Sequence, residues 1–279
     1  MSSDYMPLAA VPEKLNLPAG SVLLVHSDVL RWAKAARAHH EVFDLDLVIE
    51  SFQRVLGEQG TLLFPAFNYE FCEGKPFDIR TTPSVTGALS RTALKRKDFM
   101  RTAHPIYSFA VWGRYAKPLA QMRNQSAFGK DSPFGFLHQA DACMLIIDLA
   151  YNHAFTFVHY VEEQKKAPYR YLKKFTAPYV DEEGRKTLRT YSMYVRDLEK
   201  GVLSDTDLIG ALLEKKGIAL VQTVNGIVFK CVGLAKAYTE IARDIRQNEG
   251  RLLHRVGSCP SGRSPWPGTF RNPSGFESL

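Results

Sequence analysis

The residues best placed to do chemistry are Thr156, His159 and Glu162, in the run FTFVHYVEE. On a helix, residues three apart stand close on one face, so Glu162 or another carboxylate can orient the imidazole of His159. An imidazole held in this way is a general base near neutral pH. A solvated ion pair on a helix surface has the same spacing, and spacing alone leaves both readings open. A second cluster, His26-Ser27-Asp28, closes the apolar run SVLLV, where open α/β sheets bind ligands. A third, Ser84-Val85-Thr86-Gly87, leads into a helix N-terminus. Free N–H groups there suit a phosphate or a polarised carbonyl, although Ser and Thr at such places also serve simply as caps. Polar knots at 101–108 (RTAHPIYS) and 128–133 (FGKDSP, with Ser132) lie between apolar segments.

These clusters need elements to position them. SVLLVH (21–26) and GTLLFPAF (60–67) read as buried strands. Between them DLDLVIESFQRVLG (44–57) has helical apolar spacing, with Asp44 as N-cap and Gly57 as stop. Strand, helix and strand in this order predict a parallel pair. A polar loop over 68–84, opening with Asn68 and Tyr69, is long enough to be functional. A helix over 86–97, strands at 107–113 and 142–148, and a helix over 154–166 complete an α/β core. Beyond it, hairpins at 177–194 and 218–232, the second turning on Asn225-Gly226, alternate with helices near 205–216 and 233–248. We expect a single domain over 1–256, with an α/β core at 20–165 and antiparallel hairpins and helices at 166–256. The tail 257–279 holds 13 Gly, Pro or Ser among 23 residues and is predicted to be disordered.

The segments VHSD, GTLLFPAF, FD, TPSVTGAL, RTAHPIYSFAVWG, FGKDSPFG and FTFVHYVEE, in this order, resemble the aminoglycoside 3-N-acetyltransferase family. The resemblance covers roughly residues 20–165 and continues more weakly to about 245. It implies the antibiotic N-acetyltransferase fold, a central mixed sheet flanked by helices and distinct from GNAT. It also implies transfer of acetyl from acetyl-CoA to an amine. The family's TxxHxxE motif falls on Thr156, His159 and Glu162, so that His159 takes the proton of the attacking amine and Glu162 orients it. His26 and Ser27, the Ser84–Gly87 segment and, less directly, Ser132 are carried over to the acetyl-CoA channel. Asp28, Asn68 and Tyr69 are assigned to the acceptor. Three positions depart from the family pattern: Asp28 replaces the second serine of an HSS turn, Phe155 replaces an Asn, and Asp148 stands where the family usually has Gly after the preceding strand; the last two bear on the acceptor pocket more than on the acetyl-CoA half. No cysteine lies in a motif, so direct transfer in a ternary complex is expected rather than an acetyl-enzyme.

Composition narrows the acceptor. The 279 residues hold 36 Lys+Arg against 29 Asp+Glu, a net charge of +7, with a pI near 9.2. Such a chain attracts anions and repels polycations. Residues 165–174 (KKAPYRYLKK) carry five cations and no acid, with Tyr169 and Tyr171 interleaved for stacking on a base. A nucleotide-linked amino sugar is therefore favoured over an aminoglycoside, with an aminophosphonate as a further anionic candidate. Antibiotic resistance through an aminoglycoside is the alternative. A lower alternative is a zinc hydrolase using His159 and Glu162 with His153 or His104, and no metal site is otherwise expected. No run of 18 apolar residues suggests a membrane span, and no nucleic-acid motif is present. Cys72, Cys143, Cys231 and Cys259 are widely spaced, so disulfides are not expected and a reducing cytoplasm fits. A monomer or homodimer is expected.

Overall fold

The structure is a computed structural model, which describes residues 5–257. The predicted disordered tail lies outside the described residues from position 258 onward. Strands run in the order β1 (Val22–Ser27), β2 (Thr61–Pro65), β3 (Phe77–Asp78), β4 (Met100–Arg101), β5 (Phe109–Gly113) and β6 (Cys143–Ile147). They continue as β7 (Arg170–Val180), β8 (Lys186–Arg196), β9 (Val202–Ser204), β10 (Ala219–Val224), β11 (Ile227–Gly233) and β12 (His254–Val256). The helices are α1 (Val11–Lys14), α2 (Leu30–Ala38), α3 (Leu45–Leu56), α4 (Ala88–Ala93) and α5 (Ala116–Ala120). After them come α6 (Pro133–Gln139), α7 (Tyr151–Ala154), α8 (Phe157–Lys165), α9 (Asp207–Lys215) and α10 (Leu234–Asn248).

Seven strands form one mixed sheet in the order β10-β11-β6-β1-β2-β5-β4. Its centre, β6-β1-β2, is parallel, with Val22 opposite Thr61 and Leu23 opposite Cys143. The flanking strands are antiparallel. Alternation sends Leu23 and Val25 of β1 to one face, against Trp32, Phe52 and Leu89 of α2, α3 and α4. Leu24 points to the other face, against Phe134, Phe157 and Ile241 of α6, α8 and α10. A separate three-stranded sheet, β3-β7-β8, leans on this second face through Phe175, Tyr179 and Tyr191.

Local signals explain the central elements. The Asp44 carboxylate accepts from the N–H groups of Asp46 and Leu47, and Gly57 ends α3 at φ 67°. Asn225 and Gly226 take φ 51° and 75° between β10 and β11, the turn that Asn-Gly favours. The helix expected over 86–97 is α-helical only at Ala88–Ala93. The one expected over 154–166 divides into α7 and α8, with Thr156 as the N-cap of α8. One expectation fails outright. Cys143 and Cys231 are joined by a disulfide, their Cα atoms 6.2 Å apart. Antiparallel pairing of β6 with β11 sets Gly233 opposite Cys143 and so brings Cys231 alongside it, a juxtaposition hidden by 88 residues of separation. Among the described residues no helix is long and apolar enough to cross a membrane.

Candidate active site

The carboxyl ends of β1, β2 and β6 meet at one edge of the parallel core, and α8 packs against α10, α6 and β8. Helix α8 buries Phe157, Val158, Tyr160 and Val161, and it also buries Glu162 completely. His159 is the residue of this face left 20% exposed. Its Nδ1 lies 2.7 Å from Glu162 Oε2. Beside an ionised carboxylate Nδ1 carries the proton, and Nε2 keeps its lone pair for an incoming proton.

A third member was not expected. Arg170 Nε lies 2.7 Å from the same Glu162 oxygen, as an ion pair without the alignment of a directed hydrogen bond. The Arg170 guanidinium also donates to Tyr194 O at 3.2 Å and to Ser204 Oγ at 3.0 Å. It opens β7, just past the tight turn in which Ala167 N donates to Glu162 O and Arg170 N to Ala167 O. The basic segment 165–174 is therefore only in part the cationic face with two stacking tyrosines expected from its sequence. Arg170 is buried against Glu162, and Tyr169 is buried with its ring stacked on His254 at 3.8 Å. Lys166, Pro168, Tyr171, Leu172 and Lys174 are the exposed members.

The electrostatics follow from this packing. Burial lowers the His159 pKa below the ordinary imidazole value, and the Arg170 charge lowers it further, against the opposing pull of Glu162; Arg196 adds to the lowering. Burial pushes Glu162 up, but Arg170 and the bond to His159 outweigh it and the net shift is downward. His159 is thus a neutral imidazole beside an anion whose charge a guanidinium balances. Burial pushes the Cys72 thiol up to about 12, so it is no nucleophile at neutral pH.

Aromatic rings link His159 to the strand ends. Phe128 meets its edge at 5.5 Å, Tyr107 lies 4.8 Å from Phe128 and 4.6 Å from Phe67, and Phe67 lies 6.0 Å from His26. Ser126 donates to Glu163 at 2.8 Å and Gln164 to Phe128 O at 2.8 Å, which fastens this loop to α8. His26 is buried, its pKa lowered to about 3 by burial, and its Nε2 has no partner.

The segment 83–87 lies across the ends of β1 and β2. Val85 N donates to Phe67 O, Asn68 Nδ2 to Pro83 O and Thr86 Oγ1 to Pro65 O. Gly87 has φ 104°, and a Cβ there would come within 3.3 Å of Ser27 O. The structure therefore brings Ser27 and Ser84–Gly87 together. Other assigned residues have their polar atoms engaged elsewhere. Fully buried Ser132 caps α6, donating to Gly129 O and accepting from Gly135 N. The Asp28 carboxylate accepts from Leu30 N, and Asn68 Oδ1 accepts from Glu70 N. Tyr69 packs on Tyr107, and Thr156 Oγ1 bonds to Ala154 O. Asp148 has φ 53°, which explains a glycine preference at that position; here it ion-pairs with Arg31 at 2.7 Å.

The hydrolase alternative loses its geometry. His104 is buried with Nδ1 accepting from Ile106 and Tyr107 N–H groups. His159 and Glu162 bond to each other, and among the described residues no three His, Cys, Asp or Glu side chains converge as a metal site would require.

A family described as aminoglycoside 3-N-acetyltransferase matches residues 24–244. A Bacillus subtilis (strain 168) relative, the SPbeta prophage-derived aminoglycoside N(3')-acetyltransferase-like protein YokD, is 25% identical over 202 residues, 63% of this chain and 70% of its own. The solved aminoglycoside acetyltransferase AAC(3)-Xa superposes with a TM-score of 0.74 at 20% identity, covering 88% of this chain and 93% of its own. The AAC-IIIb structure, binary with CoASH, gives 0.73 at 18% identity over 88% and 96%. These likenesses show the antibiotic N-acetyltransferase fold rather than GNAT. A match running from β1 into α10 places the chain in the aminoglycoside 3-N-acetyltransferase family.

Proposed function

We propose that the chain transfers an acetyl group from acetyl-CoA to a primary amine of an amino sugar, with His159 as general base. The observation that carries this is the buried Glu162, whose Oε2 lies 2.7 Å from both His159 Nδ1 and Arg170 Nε. An ammonium acceptor must lose a proton before its nitrogen can attack a thioester. His159 Nε2 takes that proton, and Glu162 steadies the imidazolium that results. Arg170 keeps Glu162 ionised and so fixes the reactive tautomer. The residues present suit acetyl-CoA at the strand ends. Gly87 leaves open the space a side chain would fill beside Ser27, and the orphan His26 Nε2 has its hydrogen-bonding capacity unused. Acetyl-CoA supplies the activated acyl group when bound. Direct transfer needs no covalent acetyl-enzyme, and the Cys72 thiol, its pKa pushed up to about 12 by burial, offers no nucleophile for one.

The acceptor we favour carries negative charge, as a nucleotide-linked amino sugar does. Arg196 is close enough to act on His159 and Tyr107, and Lys173 acts on Cys72. Cations at these places, added to a net charge of +7, oppose a polycationic drug. Aminoglycoside acetylation is the second reading, favoured by the names of the relatives. The test is CoA release with nucleotide-activated amino sugars and with kanamycin-type drugs side by side. Turnover of the drugs alone would overturn the charge argument and leave the acetyltransferase reading standing.

A further inference from the structure

We propose that Tyr169 is a positioning residue for His159, its hydroxyl donating to Glu162 Oε1, and that the turn over residues 248–254 holds it in place. This rests on the reading of His159 as the base.

The two oxygens of Glu162 are served unequally. Oε2 has both His159 Nδ1 and Arg170 Nε at 2.7 Å. Oε1 is buried and has no directed hydrogen bond among the described residues. The Tyr169 hydroxyl is buried too and likewise lacks one. An ionised carboxylate only accepts and a neutral phenol donates, so these two buried groups are complementary. They are near enough to interact. Burial raises the Tyr169 pKa well above the ordinary tyrosine value, and the charge and hydrogen bonding of Glu162 raise it further. Arg170 opposes this rise, and Asp244 of α10 adds to it. A phenol so firmly protonated stays a donor at every working pH.

The surroundings leave the ring little freedom. The Tyr169 carbonyl accepts from Asp197 N at 3.0 Å. His254 stacks on the ring at 3.8 Å, and its Nδ1 lies 2.9 Å from Gly250 O. Gly250, at φ 75°, sits against the phenol, where a Cβ would overlap the hydroxyl. Asp244 fastens this turn, accepting from Asn248 Nδ2 and Leu252 N. Strand β12 then pairs with β9, setting His254 opposite Ser204, whose Oγ accepts from Arg170. Facing residues of one small sheet thus hold two neighbours of Glu162. The turn and β12 lie beyond residue 244, where the family match ends. From β8, Tyr194 senses Glu162 and Arg196 acts on His159.

A donor on Oε1 stops the carboxylate from turning and draws charge from Oε2. The imidazolium is then held in one orientation, less tightly than by a carboxylate without that donor.

The test is NMR titration of the histidine-labelled full chain, with the His159 signal identified by its absence in His159→Ala. CoA release is measured alongside, with kanamycin and with a nucleotide-activated amino sugar. Tyr169→Phe keeps the ring and its stack on His254 and removes only the hydroxyl. It is expected to raise the His159 titration midpoint by about half a pH unit or more. It should also lower kcat about tenfold, the worth of one hydrogen bond to a charged group, with KM for acetyl-CoA nearly unchanged. His254→Ala should move midpoint and kcat the same way by less, and His254→Phe, which restores a stacking ring, should return both toward wild type. A Tyr169→Phe protein with the wild-type midpoint overturns the proposal and leaves His159 as base, and so does one that loses only thermal stability. A midpoint that rises while kcat stays unchanged overturns the base reading itself, and the proposal with it.

Discussion

Replacing Arg170 by methionine removes the counter-charge from a carboxylate that has no contact with solvent. Glu162 is 0% exposed and the Arg170 side chain 5%, so water cannot substitute for the lost partner. Breaking a buried pair from one side costs about 3–5 kcal/mol. For a domain of this size about 1 kcal/mol lowers Tm by roughly 2–4 °C, so a fall of about 6–20 °C is expected. Chemistry changes as well, in a direction the structure fixes. Arg170 lowers the His159 pKa and Glu162 raises it. With Arg170 gone the carboxylate is opposed only by burial and Arg196, and His159 becomes more basic. The acid limb of kcat/KM should therefore move to higher pH, and an Arg170→Lys variant should restore part of both effects. Scanning calorimetry and a pH profile of CoA release measure the two. A folded variant whose acid limb stays where the wild type has it would refute the linkage from Arg170 through Glu162 to His159.

Three further outcomes are expected. His159→Ala should lower kcat by about 10²–10⁴-fold, the usual contribution of a general base, with CoA affinity by titration nearly unchanged; retention of most activity would place the base elsewhere. Gly87→Ala forces a side chain into φ 104°, at a cost of about 1–3 kcal/mol, and lifts the segment 83–87 from Ser27. Its kcat/KM for acetyl-CoA should fall at least tenfold, and an unchanged value would show that this segment does not border the acetyl-CoA channel. Finally, burial lowers the pKa of His26 and of His104 to about 3. Their unfolded values lie near 6.5, so the stability they confer is complete above that pH and is lost as pH falls toward 3. The loss at pH 5 should be on the order of 2 kcal/mol per histidine, read from urea midpoints at pH 7, 6 and 5; a flat midpoint would contradict it.

Much of the frame was legible because its signals are local. Asp44 and Gly57 bound α3, Asn225-Gly226 turns the last hairpin, and the strand–helix–strand order gave the parallel pair β1-β2. The His159–Glu162 contact followed from spacing on one helix. Illegible features depended on partners distant in sequence or on burial. Arg170 belonged to a stretch that looked like a solvated cationic face, and only the turn from α8 into β7 carries it inward. Cys143 and Cys231 meet only once β11 is laid beside β6. Helix α2 was missed because its run, LRWAKAARA, buries little beyond Trp32 and Ala36. Ser132 and Asn68 were assigned from motif position, whereas packing gives both of them backbone partners.

The guanidinium that neutralises Glu162 lies on the far side of the α8–β7 turn. A chain cut at residue 165 would keep all of the motif segments from VHSD to the FTFVHYVEE run, yet it would leave its key carboxylate stranded in an apolar interior. Motif content and competence are thus separable in this architecture. Substitutions drifting through β7 and β8 can retune the basicity of His159 without altering a single motif residue.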